Sequence, residues 1–207
     1  MQVIAMLTML IDHIGLVFFK NDPWWRIAGR LAFPIYAYYI VLGYQHTKSI
    51  KNYMNRLLLL TLISQIPYML ALNSAAKLNV VGTLYLCLVV LYVTDHQKRV
   101  VSVPVAVIIA AIMEFLNFDY GFYGLALVLI YRYMQNHYIV FAHLMLNLLV
   151  MLLKPGWEIQ IFSIFATLAI VYGPKVYRVL ERRSVPNWLW RSFYPAHLAL
   201  IALFKWF

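Results

Sequence analysis

Apolar segments of membrane-spanning length recur from one end of this 207-residue chain to the other. A helix needs about 20 mostly apolar residues to cross a bilayer, and segments bounded by charges, prolines or Asn and Gly clusters approach that length throughout. The composition agrees, since 64% of the residues are hydrophobic and 12% are charged. The sequence therefore predicts a single all-α domain, 1–207, folded as a polytopic integral-membrane bundle of about nine helices (eight to ten), over 2–19, 26–45, 53–72, 79–94, 101–118, 121–134, 137–153, 158–173 and 188–207.

The distribution of Lys and Arg predicts the orientation of this bundle. With a cytoplasmic amino terminus, eleven of these cations fall on the inner side and five on the outer side, with Arg30 left within the membrane. Cytoplasmic loops are usually richer in positive charge, which favours this orientation. The net charge of +10 then reflects topology and not a nucleic-acid partner. The five outer cations are Lys20, Arg26, Lys77, Lys154 and Lys205.

The basic stretch 175–183 is predicted to lie on anionic lipid. The alternative is that it helps to bind a polyanionic cosubstrate.

Asp12 and His13 stand side by side among aliphatic residues in the first predicted helix. Titratable groups at that depth are costly to bury, so a functional role is the default hypothesis. Neighbouring residues on a helix point about 100° apart, so each needs a partner on another helix. We expect Asp12 to pair with Arg30 of the second helix while His13 faces a central cavity. Gly15, one turn further, would let a neighbouring segment come close.

Other polar side chains in the predicted helices admit a structural interpretation as well as a functional one. Glu114, near a helix end, and His143, followed by Asn147 four residues later, are more simply explained as satisfied hydrogen-bonding groups. His197 fits either interpretation. The lone cysteine, Cys87, lies in an apolar run and is expected to pack in the core.

The sequence lacks the motifs typical of several other kinds of catalytic or binding site. The chain has no H-E-x-x-H motif, no cysteine pair, no G-x-S-x-G elbow and no glycine-rich phosphate loop, so no metal site is predicted. A proton-coupled transporter stays open, because buried Asp, Glu and His can form a proton path. Transporters often contain broken helices, and four prolines are predicted to interrupt helices here, although no repeat relates the two halves. These are Pro34, Pro67, Pro104 and Pro195.

Six short motifs, spread in order along nearly the whole chain, resemble the TraX family of membrane proteins associated with N-terminal acetylation of conjugative pilin. One departure is Gln65, where an acid is expected. The motifs are 6–15 (MLTMLIDHIG), 29–36 (GRLAFPIY), 64–68 (SQIPY), 79–83 (NVVGT), 119–124 (DYGFYG) and 193–198 (FYPAHL).

The opening of the chain is also similar to the wider superfamily of type-3 membrane acyltransferases, which includes the lysosomal heparan-glucosaminide acetyltransferase. These enzymes have a functional histidine in the first helix and an arginine nearby, which His13 and, more loosely, Arg30 match by position. The resemblance implies acyl transfer from acetyl-CoA to an acceptor reached from the membrane or its outer side. An imidazole suits that chemistry as a base or as a transient acyl carrier.

These considerations predict a membrane-bound acetyltransferase in the bacterial inner membrane, with acetyl-CoA as cosubstrate, an amine or hydroxyl acceptor such as a peptide N-terminus, and lipid as its surroundings. Association with a second copy stays open. A proton-coupled small-molecule transporter and a non-enzymatic assembly factor are the alternatives. The predicted catalytic residues are His13, Asp12 and Arg30. The predicted coenzyme contacts are Arg30, Lys48, Lys51, Arg56, Tyr194 and His197. Further site candidates are Asp119, Tyr120 and Glu114.

Overall fold

The computed structural model describes residues 1–173 and 185–206, whose regular structure is helical apart from one β-bridge between Leu78 and Phe118. The prediction of an all-α fold is confirmed. In chain order the elements are α1 (Gln2–Phe18), α2 (Pro23–Gly29), α3 (Ala32–His46), α4 (Ile50–Leu72), α5 (Val80–His96), α6 (Arg99–Phe115), α7 (Gly121–Tyr133), α8 (His137–Leu153), the 3-10 helix η1 (Glu158–Ser163), α9 (Ile164–Tyr172) and α10 (Asn187–Trp206).

Polar caps fix where several of these helices begin. The side chain of Asp22 accepts the backbone N–H of Trp24 at 3.0 Å, and that of Ser49 accepts the N–H of Asn52 at 3.3 Å. The side chain of Asn79 accepts two backbone N–H groups of α5, at 3.0 and 3.2 Å. Each cap satisfies donors that the first turn of a helix leaves free, and is worth about 1 kcal/mol.

The predicted segment 26–45 is broken at Arg30 and Leu31 into α2 and α3. Pro34 has no N–H to bond to the carbonyl of Arg30, so the helix cannot continue unchanged through this point. The predicted segment 158–173 is likewise divided, into η1 and α9. The prediction that the other three prolines interrupt helices is wrong, because they lie inside continuous helices: Pro67 in α4, Pro104 in α6 and Pro195 in α10.

Two groups of buried apolar side chains hold the helices together. The larger group joins α3, α5, α7, α8 and α9 around fully buried side chains such as Ile35, Leu88 and Leu127. The smaller group joins α1, α4 and α10 around Tyr68 and Leu198. The close packing of these side chains fixes the positions of the helices that carry the polar side chains.

Among the described residues one helix, α4, is by itself long and apolar enough to cross a membrane. The helices α1, α5 and α8 and the pair η1–α9 are apolar but shorter. The structure therefore does not confirm the prediction of about nine membrane spans. The basic stretch 175–183, predicted to lie on lipid, falls outside the described residues.

Candidate functional site

Two cavities enter the bundle from opposite ends and reach the same part of α1. Gln2 and Met9 line the larger cavity, of about 750 Å³, whereas Leu16 and Lys20 line the smaller one, of about 350 Å³. We name the larger the aromatic cavity, for Phe33, Tyr36, Tyr39, Tyr53, Trp190 and Tyr194. We name the smaller the cationic cavity, for Lys20, Arg26, Arg30, Lys77 and Lys205. Four residues line both cavities: Asp12, His13, Asp119 and Tyr120.

His13 forms a pair with His197 of α10 across the bundle. The Nδ1 atom of His13 lies 2.7 Å from Nε2 of His197, whose own Nδ1 lies 2.6 Å from the backbone carbonyl oxygen of Phe193. A carbonyl can only accept, so His197 carries its proton on Nδ1 and accepts from His13 through Nε2. His13 is therefore protonated on Nδ1, which leaves a lone pair on Nε2. Within 1–173 and 185–206, Nε2 of His13 has no hydrogen-bond partner.

Two arginines of α2 and its C-terminal turn neutralise Asp12. Its Oδ1 atom lies 2.7 Å from Nη1 of Arg26 and 3.1 Å from Nη2 of Arg30, and the side chains of Asp12 and Arg30 are only 12% and 11% exposed. The prediction that Asp12 pairs with Arg30 is confirmed. The carboxylate fits against Gly29, where a Cβ would collide with it. Gly15 likewise makes room for the Trp25 side chain.

The segment between α6 and α7 carries Asp119 and Tyr120 to the junction of the cavities. Backbone bonds pair it with Leu78: the N–H of Asp119 donates to the Leu78 carbonyl at 2.9 Å. Tyr120 adopts a left-handed conformation (φ 67°), and its ring stacks on Phe33 with centroids 3.9 Å apart. Desolvation by the surrounding protein raises the pKa of the Asp119 carboxyl, and Arg30 opposes that shift.

Glu114 lies apart from this junction, although the sequence made it a site candidate. Its Oε1 accepts the backbone N–H of Phe122 at 2.8 Å, and its Oε2 lies 2.7 Å from Nζ of Lys154. Its carboxylate also lies against Gly121, where a Cβ would collide with it. The backbone of Gly121 has a positive φ of 43°, a conformation that glycine adopts more readily than other residues. Glu114 thus anchors the first turn of α7, and the structural interpretation of this residue is the better one.

The structure places the predicted coenzyme contacts in four different surroundings. Arg56 and Tyr194 line the aromatic cavity, where Arg191, which the sequence did not single out, joins them. Arg30 lines the cationic cavity instead. His197 contacts His13 directly, and Tyr194 packs edge-on against the His13 ring with centroids 6.0 Å apart. In the described part of the chain Lys48 and Lys51 line neither cavity.

A second polar network lies behind the junction and begins at Arg30 and Gln160, which line the cationic cavity. Nη1 of Arg30 donates to Oε1 of Gln160 at 3.1 Å, and Nε2 of Gln160 donates to the hydroxyl of Tyr123 at 3.0 Å. That hydroxyl lies 2.8 Å from Nε2 of His143, whose Nδ1 lies 2.6 Å from the Thr167 hydroxyl. The network continues to Asn147, Ser163 and Tyr131. His143 is thus a satisfied buried group, as its structural interpretation predicts.

Sequence reasoning missed Arg26 and Gln160 as parts of the site. Arg26 was counted with the outer loop cations, yet it precedes Arg30 by four residues and so shares its helix face. Gln160, Ser163 and Thr167 also fall at helical spacing within an apolar segment, a signal that could have indicated a polar face.

Gln65, the departure from the expected acid, has a structural role. Its amide donates to the Lys77 carbonyl at 2.9 Å, and its oxygen accepts the backbone N–H of Asn79 at 3.0 Å. A carboxylate could not make the first of these bonds, because it has no hydrogen to donate at neutral pH. Gln65 therefore orders the segment that leads into α5.

Comparisons with known proteins identify the family to which the chain belongs. The chain is 28% identical, over 237 aligned positions, to the probable fimbrial assembly protein FimC, serogroup H1, of Dichelobacter nodosus, and the alignment covers 100% of this chain and 95% of that protein. No solved structure matches the chain. The profile of the TraX protein family matches residues 1–205. Since this match spans nearly the whole sequence, the chain belongs to the TraX protein family.

Proposed function

We propose that this protein is an integral-membrane acetyltransferase that moves the acetyl group of acetyl-CoA to an amine or hydroxyl acceptor, such as a peptide N-terminus. One observation carries the proposal. His13 presents a ring nitrogen with a free lone pair at the point where cavities from opposite ends of the bundle meet. That arrangement lets a donor and an acceptor reach one base or nucleophile from different sides.

The exposed surface supports placing the bundle in a membrane as a multi-pass protein of the bacterial inner membrane. Large apolar side chains are exposed along α4, α6 and α8, for example Leu62 (62% exposed), Val107 (63%) and Leu152 (83%). Such continuous apolar faces are unusual on a monomer in water and fit contact with lipid. The similarity to a protein named for fimbrial assembly supports a pilin subunit as the acceptor.

The aromatic cavity suits the donor. Arg56, Arg191 and His46 line it and are exposed, so they can meet phosphates at its mouth. Rings line its walls, among them Tyr36 and Trp190, which stack with centroids 4.8 Å apart. The predicted orientation puts this mouth at the cytoplasm, which is the source of acetyl-CoA.

The chemistry assigned to the junction is transfer to an attacking amine. The amine nitrogen bonds to the thioester carbonyl carbon, the carbon–sulfur bond breaks, and the amine proton passes through Nε2 of His13 to the departing thiolate. In the alternative route Nε2 of His13 first bonds to the carbonyl carbon while the carbon–sulfur bond breaks and the coenzyme leaves as its thiolate. The amine then takes the acetyl group from Nε2, and the amine proton neutralises the thiolate. Arg30, which lines the cationic cavity, and the hydroxyl of Tyr194, whose ring packs against that of His13, are the donors for the oxyanion.

Acetyl transfer by the purified protein in detergent tests the proposal. We expect acetyl-CoA bearing a labelled acetyl group to label a peptide with a free N-terminus, with release of one equivalent of coenzyme thiol. Mass analysis of protein incubated without acceptor separates the two routes, because only the second leaves an acetyl group on His13. Absence of both labelling and acetyl-CoA binding contradicts the proposal.

The chain of hydrogen bonds from Asp12 through Arg30, Gln160 and Tyr123 to His143 favours one alternative function, a proton-coupled transporter. Solute flux into proteoliposomes that follows an imposed pH gradient, without affinity for acetyl-CoA, is the result expected of that function. An acetyltransferase shows the opposite pair of results.

A further inference from the structure

The cations predicted at the outer end of the bundle gather around one cavity. Of these five, only Lys154 is absent from the lining of the cationic cavity, and it pairs with Glu114 at 2.7 Å. Arg30 joins the other four, which are Lys20, Arg26, Lys77 and Lys205. Asp12 and Asp119 are the acids in the described lining, and Asp12 already faces two arginines. The cavity therefore has an excess of positive charge.

This concentration is not explained by topology. Membrane proteins keep Lys and Arg largely on the cytoplasmic side, so cations clustered at the other end require a local reason. They also come from separate parts of the chain: Lys20 follows α1, Lys77 precedes α5 and Lys205 ends α10. The tertiary fold, and not a basic stretch of sequence, brings them to one opening.

The three lysines of the cationic cavity differ in how accessible their ammonium groups are to a ligand. Nζ of Lys205 is held at the end of α4, 3.0 Å from the carbonyl oxygen of Ala71. Lys20 and Lys77 are exposed, and within 1–173 and 185–206 neither has an ion-pair partner. Asn73 and Ser74 lie in the same lining and offer the neutral donors and acceptors that a peptide backbone needs.

From these observations we infer that the cationic cavity is a binding subsite for acidic side chains of a peptide acceptor, next to the group that is acetylated. This inference rests on the proposed function. Carboxylates of the acceptor meet Lys20 and Lys77, while the amine to be modified advances toward His13. The positive surroundings disfavour an ammonium ion there, and so they increase the fraction of the reactive free amine.

A matched pair of peptides tests the subsite by equilibrium binding, without any need for turnover. One peptide carries two acidic residues close to its free N-terminus, and the other carries the corresponding amides. We expect the purified protein to bind the acidic peptide about tenfold more tightly at low ionic strength, an effect of about two partly screened ion pairs, and to lose most of that preference in high salt. Equal affinity for the two peptides overturns the inference.

Removing the charges of individual lysines shows which of them cause the preference for the acidic peptide. Lys20→Gln combined with Lys77→Gln should abolish it, whereas the control, Lys48→Gln combined with Lys51→Gln, should retain it, because those exposed lysines lie outside both cavities. A preference that survives in the first variant, or displacement of both peptides equally by inorganic phosphate, overturns the subsite.

The two proposals fail separately. If the acidic peptide binds preferentially but is never acetylated, the proposed function fails and the anion-binding subsite stands. If both peptides are acetylated with equal KM, the function stands and the subsite fails.

Discussion

Two buried histidines of this protein illustrate opposite uses of the same side chain. His13 is 6% exposed and His143 is completely buried, so burial alone hardly separates them. They differ in how their ring nitrogens are used. His143 has hydrogen-bond partners at both, 2.8 Å from the Tyr123 hydroxyl and 2.6 Å from that of Thr167. His13 has one, His197, and its other nitrogen has no partner in the described part of the chain, at a position lined by two cavities.

The comparison shows that the hydrogen bonding of the ring nitrogens, and not burial, indicates which histidine has a functional role. A histidine bonded at both nitrogens stabilises the fold, because each bond offsets the cost of burying a polar group. A histidine with one nitrogen fixed and the other accessible is oriented for proton or acyl transfer. On this comparison, loss of His13 should affect catalysis and loss of His143 should affect stability.

The largest expected effect is the loss of acetyl transfer in His13→Ala. Without a base or acyl carrier at the junction, the rate should fall by about a thousandfold. Size-exclusion chromatography in detergent and thermal unfolding provide the control, and both should resemble the unmodified protein within a few degrees. Acetyl transfer near the normal rate in this variant would contradict the comparison and show that His13 is not a catalytic residue.

His143→Ala should have the converse effect. It leaves the Thr167 hydroxyl and the Tyr123 hydroxyl each short of a partner and opens a small void, which together cost about 2–4 kcal/mol of unfolding free energy. Thermal unfolding measures this cost, and kcat per mole of folded protein should stay within about tenfold. A variant that keeps its stability but has lost turnover would assign His143 to the chemistry.

Substitutions of His197 test whether catalysis depends on the orientation of the His13 ring. His197→Leu removes the acceptor for Nδ1–H of His13, so kcat should fall by about thirtyfold and its pH profile should shift. His197→Gln is the matched control, since its amide oxygen can still accept that hydrogen and should restore much of the rate. Identical kcat values and pH profiles for the two variants would show that the histidine pair only packs.

The smallest expected effect is at Glu114. Glu114→Gln removes the charge facing Lys154 but keeps an oxygen that can accept the N–H of Phe122, so stability should change by about 1 kcal/mol or less. Activity should be unchanged, because Glu114 lines neither cavity in the described residues. A large loss of activity at unchanged stability would return this residue to the candidate site.

The helices and one contact of the site were predictable because their signals are local. Apolar runs ended by charges and polar clusters predicted seven of the nine segments as single helices, each with ends within three residues of those in the described structure. The pairing of Asp12 with Arg30 followed from the cost of an isolated charge in an apolar helix. Pro34 indicated the break between α2 and α3, but the same signal at Pro67, Pro104 and Pro195 was misleading, because a proline indicates a lost hydrogen bond without indicating whether packing compensates for it.

Taken alone, the sequence determined that this chain forms apolar helices and that Asp12 and His13 need partners outside their own helix, because propensity, charge and burial cost act within a few residues. Only the tertiary structure decided which partners they have. His197 is 184 residues from His13 in sequence, and the lysines of the cationic cavity come from three separate segments. Such contacts depend on how the helices pack, and no local pattern in a single sequence encodes that packing.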